Sequence, residues 1–127
     1  MTIERKVELI GKEIEGQIKI VQIYLDDQPY LIYGHRSNSW HESLLKHFLI
    51  EKIGDYPTIP HPHYERDVMP ALEGERYKVV GMGIAIIDSS EKKLIIYKDD
   101  ESFDYKIKPN KEFNELIKKS LEGWKVV

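Results

Sequence analysis

The sequence predicts an α+β fold: a mixed or antiparallel β-sheet built from two hairpins and a C-terminal strand, with two helices packed on it. Two observations carry this prediction. Apolar, β-branched runs occur in two pairs with turn residues between them, and two other segments repeat their apolar residues at helical spacing. Since the chain has 127 residues and no linker-like segment, we expect a single domain over residues 1–127.

The first hairpin is predicted from residues 17–25 (QIKIVQIYL) and 30–33. The longer run is apolar on both faces, which is typical of a strand that is covered on each side. Residues 26–29 (DDQP) are turn formers. A preceding strand over residues 7–14 is expected to be interrupted at Gly11.

A first helix is predicted over residues 40–53, ended by Gly54. Ser39 and Glu42 have the spacing of a capping box at its start. One apolar stripe at helical spacing runs along the segment and is formed by Trp40, Leu44, Leu45, Phe48, Leu49 and Ile53.

The remaining segments complete the sheet and add the second helix. Residues 55–75 contain four prolines and are predicted to form a long surface loop. Residues 77–88 and 92–98 are predicted to form the second hairpin, in which Gly81 and Gly83 indicate a bulge or a close approach of backbone.

The second helix follows an acidic loop over residues 99–104. Asn110 is expected to cap this helix, and Gly123 ends it before a last strand over residues 124–127. Its apolar stripe consists of Phe113, Leu116, Ile117 and Leu121.

Composition excludes several classes of function. The chain carries 19 Lys and Arg against 22 Asp and Glu and shows no basic stripe, so nucleic acid is not an expected partner. No apolar run is long enough to span a membrane, and no membrane association is expected. The absence of cysteine excludes disulfides and thiolate chemistry. The chain is therefore expected to be cytoplasmic.

His41 is the candidate catalytic residue. A rotation of about 100° per residue places it near the middle of the apolar stripe and within the first helical turn. Free backbone amides there favour anions, and the positive end of the helix favours a neutral imidazole, which can act as a base. The alternative is a core histidine that is hydrogen-bonded to a carbonyl group.

Lys19 and Arg36 are the candidate phosphate ligands. Lys19 shares a strand face with Val21, Ile23 and Leu25, so its side chain either reaches water near a strand end or faces a bound anion. Arg36 precedes the first helix and could join Lys19 around a phosphate or a carboxylate; the alternative is a solvated arginine.

Two patterns in the sequence are candidate metal sites. His61 and His63 lie two residues apart, and in an extended segment both rings would face one side, as Zn²⁺ or Ni²⁺ requires. The acidic residues of 99–104 lack the central glycine and final glutamate of a calcium loop. No third ligand accompanies the two histidines, so the sequence predicts neither a metal nor another cofactor.

Three stretches of the chain resemble the Janus/Ocnus family, which includes the protein-histidine phosphatases. Residues 18–21 (IKIV) resemble the family's strand with a phosphate-binding lysine, and residues 31–48 (LIYGHRSNSWHESLLKHF) its segment leading into an aromatic-His pair at a helix start. Residues 81–97 (GMGIAIIDSSEKKLIIY) resemble its glycine-rich strand, polar turn and aromatic-ended strand.

The resemblance implies a compact α+β protein and a phosphatase site. In that site His41 is the general base that activates water against phosphohistidine, Lys19 holds the phosphate and Arg36 assists. The chain departs from the family at residues 98–102 (KDDES), where the family has a neutral, serine-containing phosphate loop, and at Ile84, where a basic residue is common.

Three functions follow from these patterns. The first is metal-independent hydrolysis of a phosphorylated protein or a small phospho-substrate. The second is a non-catalytic interaction module whose acidic loop meets a basic partner or whose strands form a homodimer. The third is a metal-dependent hydrolase that combines His61 and His63 with acidic residues of 99–104.

Overall fold

Six strands form one mixed sheet, and a further pair of short strands forms a second sheet. The computed structural model describes residues 5–12, 14–37 and 40–127. The elements in chain order are β1 (Glu8–Ile10), β2 (Gly16–Leu25), β3 (Gln28–His35), α1 (His41–Lys52), β4 (Thr58–Pro60), β5 (Val68–Pro70), β6 (Tyr77–Asp88), β7 (Lys93–Ile96), α2 (Lys111–Ser120) and β8 (Lys125–Val126).

The main sheet has the strand order β1-β3-β2-β6-β7-β8. The three inner pairings are antiparallel, whereas β1 pairs with β3, and β8 with β7, in parallel. Both predicted hairpins and the C-terminal strand are present, which confirms the α+β prediction. Among the described residues, no helix is both long and apolar enough to cross a membrane.

The two helices cover opposite faces of the sheet because side chains alternate along β2. On one face, Val21 and Ile23 pack in a cluster with Leu45, which lies on α1. On the other face, Ile20 packs with Phe113 of α2. The prediction that this strand is covered on each side is confirmed.

The turn between β2 and β3 is tighter than expected. Asp26 and Asp27 both have positive φ, 48° and 67°, and the flanking Leu25 and Gln28 are paired. This is the conformation of a two-residue hairpin loop, which matches the twist of its strands. The second strand of this hairpin, β3, therefore begins at Gln28, two residues before the predicted start at Tyr30.

The proline-rich segment 55–75 is not loop throughout. It contains β4 and β5, which form a short antiparallel pair with Ile59 opposite Met69. Met69 is 3% exposed and joins the core on the α1 face. Prolines end both strands, so the segment folds back over α1 instead of extending the main sheet.

The glycines of β6 mark both features that the sequence predicted. The register between β2 and β6 shifts after Gln22, as expected for a bulge. A Cβ atom at Gly83 would lie 2.6 Å from Cγ of Pro109, and one at Gly81 would lie 2.6 Å from the backbone nitrogen of Asn110. The segment that leads into α2 therefore crosses β6 at a distance that only glycine permits.

The helix ends agree with the sequence in three of four places. Gly54 has φ 78° after α1, Gly123 has φ 79° after α2, and the Asn110 side chain accepts a 2.8 Å hydrogen bond from the Phe113 amide. The predicted capping box depends on Ser39, which lies outside the described residues. In the structure α1 begins at His41, and Trp40 occupies the cap position without a side-chain hydrogen bond to the helix.

Candidate functional site

His41 is the first residue of α1 and is partly buried against the sheet. Its Nε2 atom lies 2.9 Å from the carbonyl oxygen of Gly83 on β6. A carbonyl oxygen only accepts, so Nε2 carries the proton and Nδ1 of the neutral ring carries a lone pair. Within the described part of the chain, Nδ1 receives no hydrogen bond. Nε2 is therefore hydrogen-bonded to a carbonyl, as expected for a core histidine, whereas Nδ1 can still act as a base.

The surroundings of His41 favour the neutral imidazole. Burial lowers the pKa of His41, and the nearby charge of Lys19 lowers it further. The Gly83 carbonyl and the Asp104 carboxylate act in the opposite direction, but the pKa remains below its ordinary value. A neutral ring with a fixed tautomer is the form that can accept a proton.

Lys19 lies on the same face of the sheet as His41. Lys19 lies near the beginning of the interior strand β2, where it pairs with Gly34 and Ile84. Its Nζ atom is 4.7 Å from the centre of the Trp40 ring. A cation at that distance is attracted by the face of the indole. The side chain is thereby held at the beginning of α1. Burial, followed by the charge of Arg36, lowers the pKa of Lys19 against the opposing effect of Asp104.

Arg36 lies at the rim of the same region. It is exposed, follows the end of β3 and donates through Nη1 to Oε1 of Gln17. Its charge is close enough to Lys19 to affect the pKa of that lysine. The structure therefore brings the three sequence-predicted residues, His41, Lys19 and Arg36, to one end of one sheet face.

A second group of titratable residues adjoins this region. His61 lies with Nε2 3.5 Å from Glu42 Oε1 and 3.9 Å from Asp104 Oδ2, and His63 Nε2 lies 3.5 Å from Asp104 Oδ1. The His61 side chain is only 3% exposed. Asp104 links the two groups, because its charge also acts on His41 and Lys19.

The acidic loop divides into an exposed tip and an inward-turned end. Residues 99–101 are exposed, whereas Ser102 is buried and its amide donates to the Ile107 carbonyl at 2.9 Å. The Tyr105 hydroxyl donates to the Pro70 carbonyl at 2.7 Å, which ties the loop to β5. These bonds direct Asp104 toward the histidines. Ser102 is thus buried and hydrogen-bonded within its own loop.

The sequence indicates the partners of these histidines only in part. It predicts Glu42 as part of the helix cap, whereas Asp104 belongs to the acidic segment 99–104 that the metal-dependent alternative combines with His61 and His63. The position of Glu42 directly after His41, in the first helical turn, is the one sequence feature that places Glu42 near the site. Its partner His61 is 19 positions further along the chain, in a segment with no periodic pattern, so the contact itself had no sequence signal.

No family model, curated protein or solved structure gives a match to this chain. The resemblance to the Janus/Ocnus family therefore stays a prediction from the motifs at residues 18–21, 31–48 and 81–97.

Proposed function

We propose that the protein is a phosphohydrolase in which His41 is the general base. The observation that carries the proposal is the pairing of a neutral imidazole, whose free nitrogen is Nδ1, with the Lys19 ammonium at the beginning of α1. A general base to activate water and a cation to bind the phosphate are two of the groups that phosphate hydrolysis uses.

The reaction follows from these groups. A phosphate would contact the Lys19 ammonium, the Arg36 guanidinium at the rim and the first-turn amides of α1, which Trp40 does not cap with a side chain. Water attacks phosphorus while Nδ1 of His41 takes its proton. The bond from phosphorus to the leaving atom breaks with its electron pair, and the leaving group takes a proton from solvent.

The proposed substrate is a phosphorylated protein, with phosphohistidine as the implied group, or a small phospho-substrate. The step itself uses no metal. Trp40 and Phe103 are 61% and 71% exposed and provide apolar surface for a polypeptide near the phosphate. A cytoplasmic location, expected from the lack of cysteine, belongs to the same proposal.

The test is hydrolysis of a phosphohistidine peptide and of p-nitrophenyl phosphate by protein treated with a chelator. We expect His41→Gln to lower kcat by about 10² to 10⁴, because the glutamine Nε2 can still donate to the Gly83 carbonyl but the side chain cannot accept the proton. Lys19→Ala is expected to raise KM.

His47→Ala is the matched control, since His47 is an exposed histidine on the same helix. It should retain the wild-type rate, and thermal unfolding should show that every variant is folded. Absence of wild-type turnover, or a His41→Gln variant with the wild-type rate, would contradict the proposal.

A non-catalytic interaction module is the second candidate. It is favoured by the exposed acidic tip at residues 99–101, which adjoins the exposed ring of Phe103. A basic peptide would be the complementary partner. Salt-sensitive binding of a lysine-rich peptide by a wild-type protein without turnover would favour this candidate, and replacing the three acidic residues by amides should then remove that binding.

A further inference from the structure

His61 has a buried ring nitrogen without a hydrogen bond. Its Nδ1 atom accepts from the backbone amide of His63 at 3.1 Å, so in the neutral ring the proton is on Nε2. Across the described residues, Nε2 is the buried side-chain atom that has no hydrogen-bond partner. An unpaired polar group in a protein interior is rare and indicates a missing ligand or ion.

The atoms that surround Nε2 are carboxylate oxygens at distances unsuited to hydrogen bonding. Glu42 Oε1 at 3.5 Å and Asp104 Oδ2 at 3.9 Å are beyond the usual range of about 2.7–3.2 Å. Ligand atoms in a tetrahedral zinc site, with bonds of about 2.1 Å, lie about 3.4 Å apart. One nitrogen and one oxygen from each of two carboxylates all lie within 4.8 Å of one another.

We propose that Glu42, His61 and Asp104 bind a divalent transition metal of the Zn²⁺ class. An imidazole ligand favours such a metal over Ca²⁺, which takes six to eight oxygens. Three protein ligands leave a fourth tetrahedral position open to water or to a substrate oxygen. The inference does not rest on the proposed phosphatase activity.

Metal binding requires a change of tautomer at His61. The metal takes the lone pair of Nε2, so the ring proton must move to Nδ1, which then can no longer accept from the His63 amide. Metal binding at this site therefore breaks the hydrogen bond from the His63 amide to His61 Nδ1. Adventitious binding to surface carboxylates leaves that hydrogen bond intact.

A bound metal also alters the charges beside His41. Asp104 is the carboxylate whose charge acts on both His41 and Lys19. A divalent cation on Glu42 and Asp104 offsets their two negative charges and removes the repulsion that they exert on an incoming phosphate. We therefore expect inorganic phosphate to bind more tightly to the zinc-loaded protein than to the metal-free protein.

The test is calorimetric titration of metal-stripped protein with Zn²⁺, with Co²⁺ as a spectroscopic probe. We expect one metal per chain, the visible absorption of four-coordinate Co²⁺, and shifts of the His63 amide and of the His61 ring signals in NMR spectra. Asp104→Asn and Glu42→Gln, which keep the shape of each side chain, should each weaken binding at least about tenfold.

Asp99→Asn is the control, because Asp99 is an exposed carboxylate of the same loop and should not affect binding. Failure of Zn²⁺ to bind, binding that survives both ligand variants, or an unchanged His63 amide would each overturn the proposal. Catalysis is assayed without metal, so the outcome of the two proposals can be told apart.

Discussion

His41 and His61 differ in how their ring protons are held. The Nε2 proton of His41 has an acceptor at 2.9 Å, whereas the Nε2 proton of His61 faces two carboxylates that are too distant for a hydrogen bond. The Nε2 proton of His41 has a hydrogen-bond acceptor without any ligand, whereas that of His61 has none among the described residues. Each histidine thus suits the role proposed for it: a base in the first case and a metal ligand in the second.

Tyr77 provides a prediction about pH. Its hydroxyl donates to the Ala71 carbonyl at 2.7 Å, and burial raises the pKa of Tyr77 to about 12. An unfolded tyrosine ionises near pH 10, so the contribution of Tyr77 to the free energy of unfolding should be constant below about pH 10 and fall as the pH rises toward 12. Urea unfolding across this range measures the effect.

Tyr77→Phe is the control for this prediction. It removes the ionisable hydroxyl, so stability should fall less with pH than in the wild type. A residual decrease is expected, because burial also raises the pKa of Tyr105. Identical pH dependence of the two proteins would contradict the prediction.

At the scale of elements, α2 is attached to β2 through one amide side chain. Gln22 is fully buried; its Oε1 accepts from the Asn110 backbone amide at 2.6 Å, and its Nε2 donates to Asn114 Oδ1 at 2.6 Å. The polar residue in this apolar strand therefore determines where the helix starts relative to the sheet.

Replacing Gln22 by leucine should lower the free energy of unfolding by about 2–3 kcal/mol, because both partners lose their hydrogen bonds in a partly buried place. Asn114→Ala removes one of the two bonds and should cost about 1 kcal/mol. Chemical denaturation measures both. The expected order is the decisive result, and an Asn114→Ala variant less stable than Gln22→Leu would refute it.

The elements themselves could largely be predicted. Residues 77–88 form β6 with the predicted bounds, because their alternation is long and turn residues bound them. The pair formed by β4 and β5 was missed, since prolines suppress the strand pattern. Periodicity also placed His41 on the apolar stripe of α1 and Lys19 on the strand face with Val21, and in the structure the charge of Lys19 acts on His41.

The contact of Glu42 with His61 could not be predicted, and the contact of Asp104 with His61 was covered only by the alternative that combines the histidines with acidic residues of 99–104. They depend on how segment 55–75 folds over α1 and how the loop around Ser102 turns inward. Neither segment has a repeating pattern, so the distances between them follow from tertiary packing and not from local spacing.

At the scale of the whole molecule, both edges of the main sheet are short. β1 has three residues and β8 has two, and short edge strands limit pairing with another sheet. Val127 extends the β8 edge, because its amide donates to the Leu94 carbonyl and its carbonyl accepts from Ile96. A homodimer formed through sheet edges is therefore not favoured by this architecture and stays a prediction.

Removal of residues 125–127 should expose the edge of β7 and cause self-association. The freed backbone groups and the buried side chains of Leu94 and Ile96 would then be open to a second copy. Light scattering after chromatography should show a dimer or larger species. Lys125→Ala, which keeps the main chain, should behave like the wild type, and a strictly monomeric truncated protein would contradict the prediction.

Gly83 fixes the tautomer of His41 through its main-chain carbonyl, a group that every amino acid possesses. No single replacement can delete such an acceptor; it can only shift the main chain, as a side chain meeting Pro109 would do. The position of the proton on the His41 ring is thus determined by the position of the main chain at Gly83. A variant that lacks Lys19 and Arg36 should therefore still present Nδ1 of His41 as a proton acceptor.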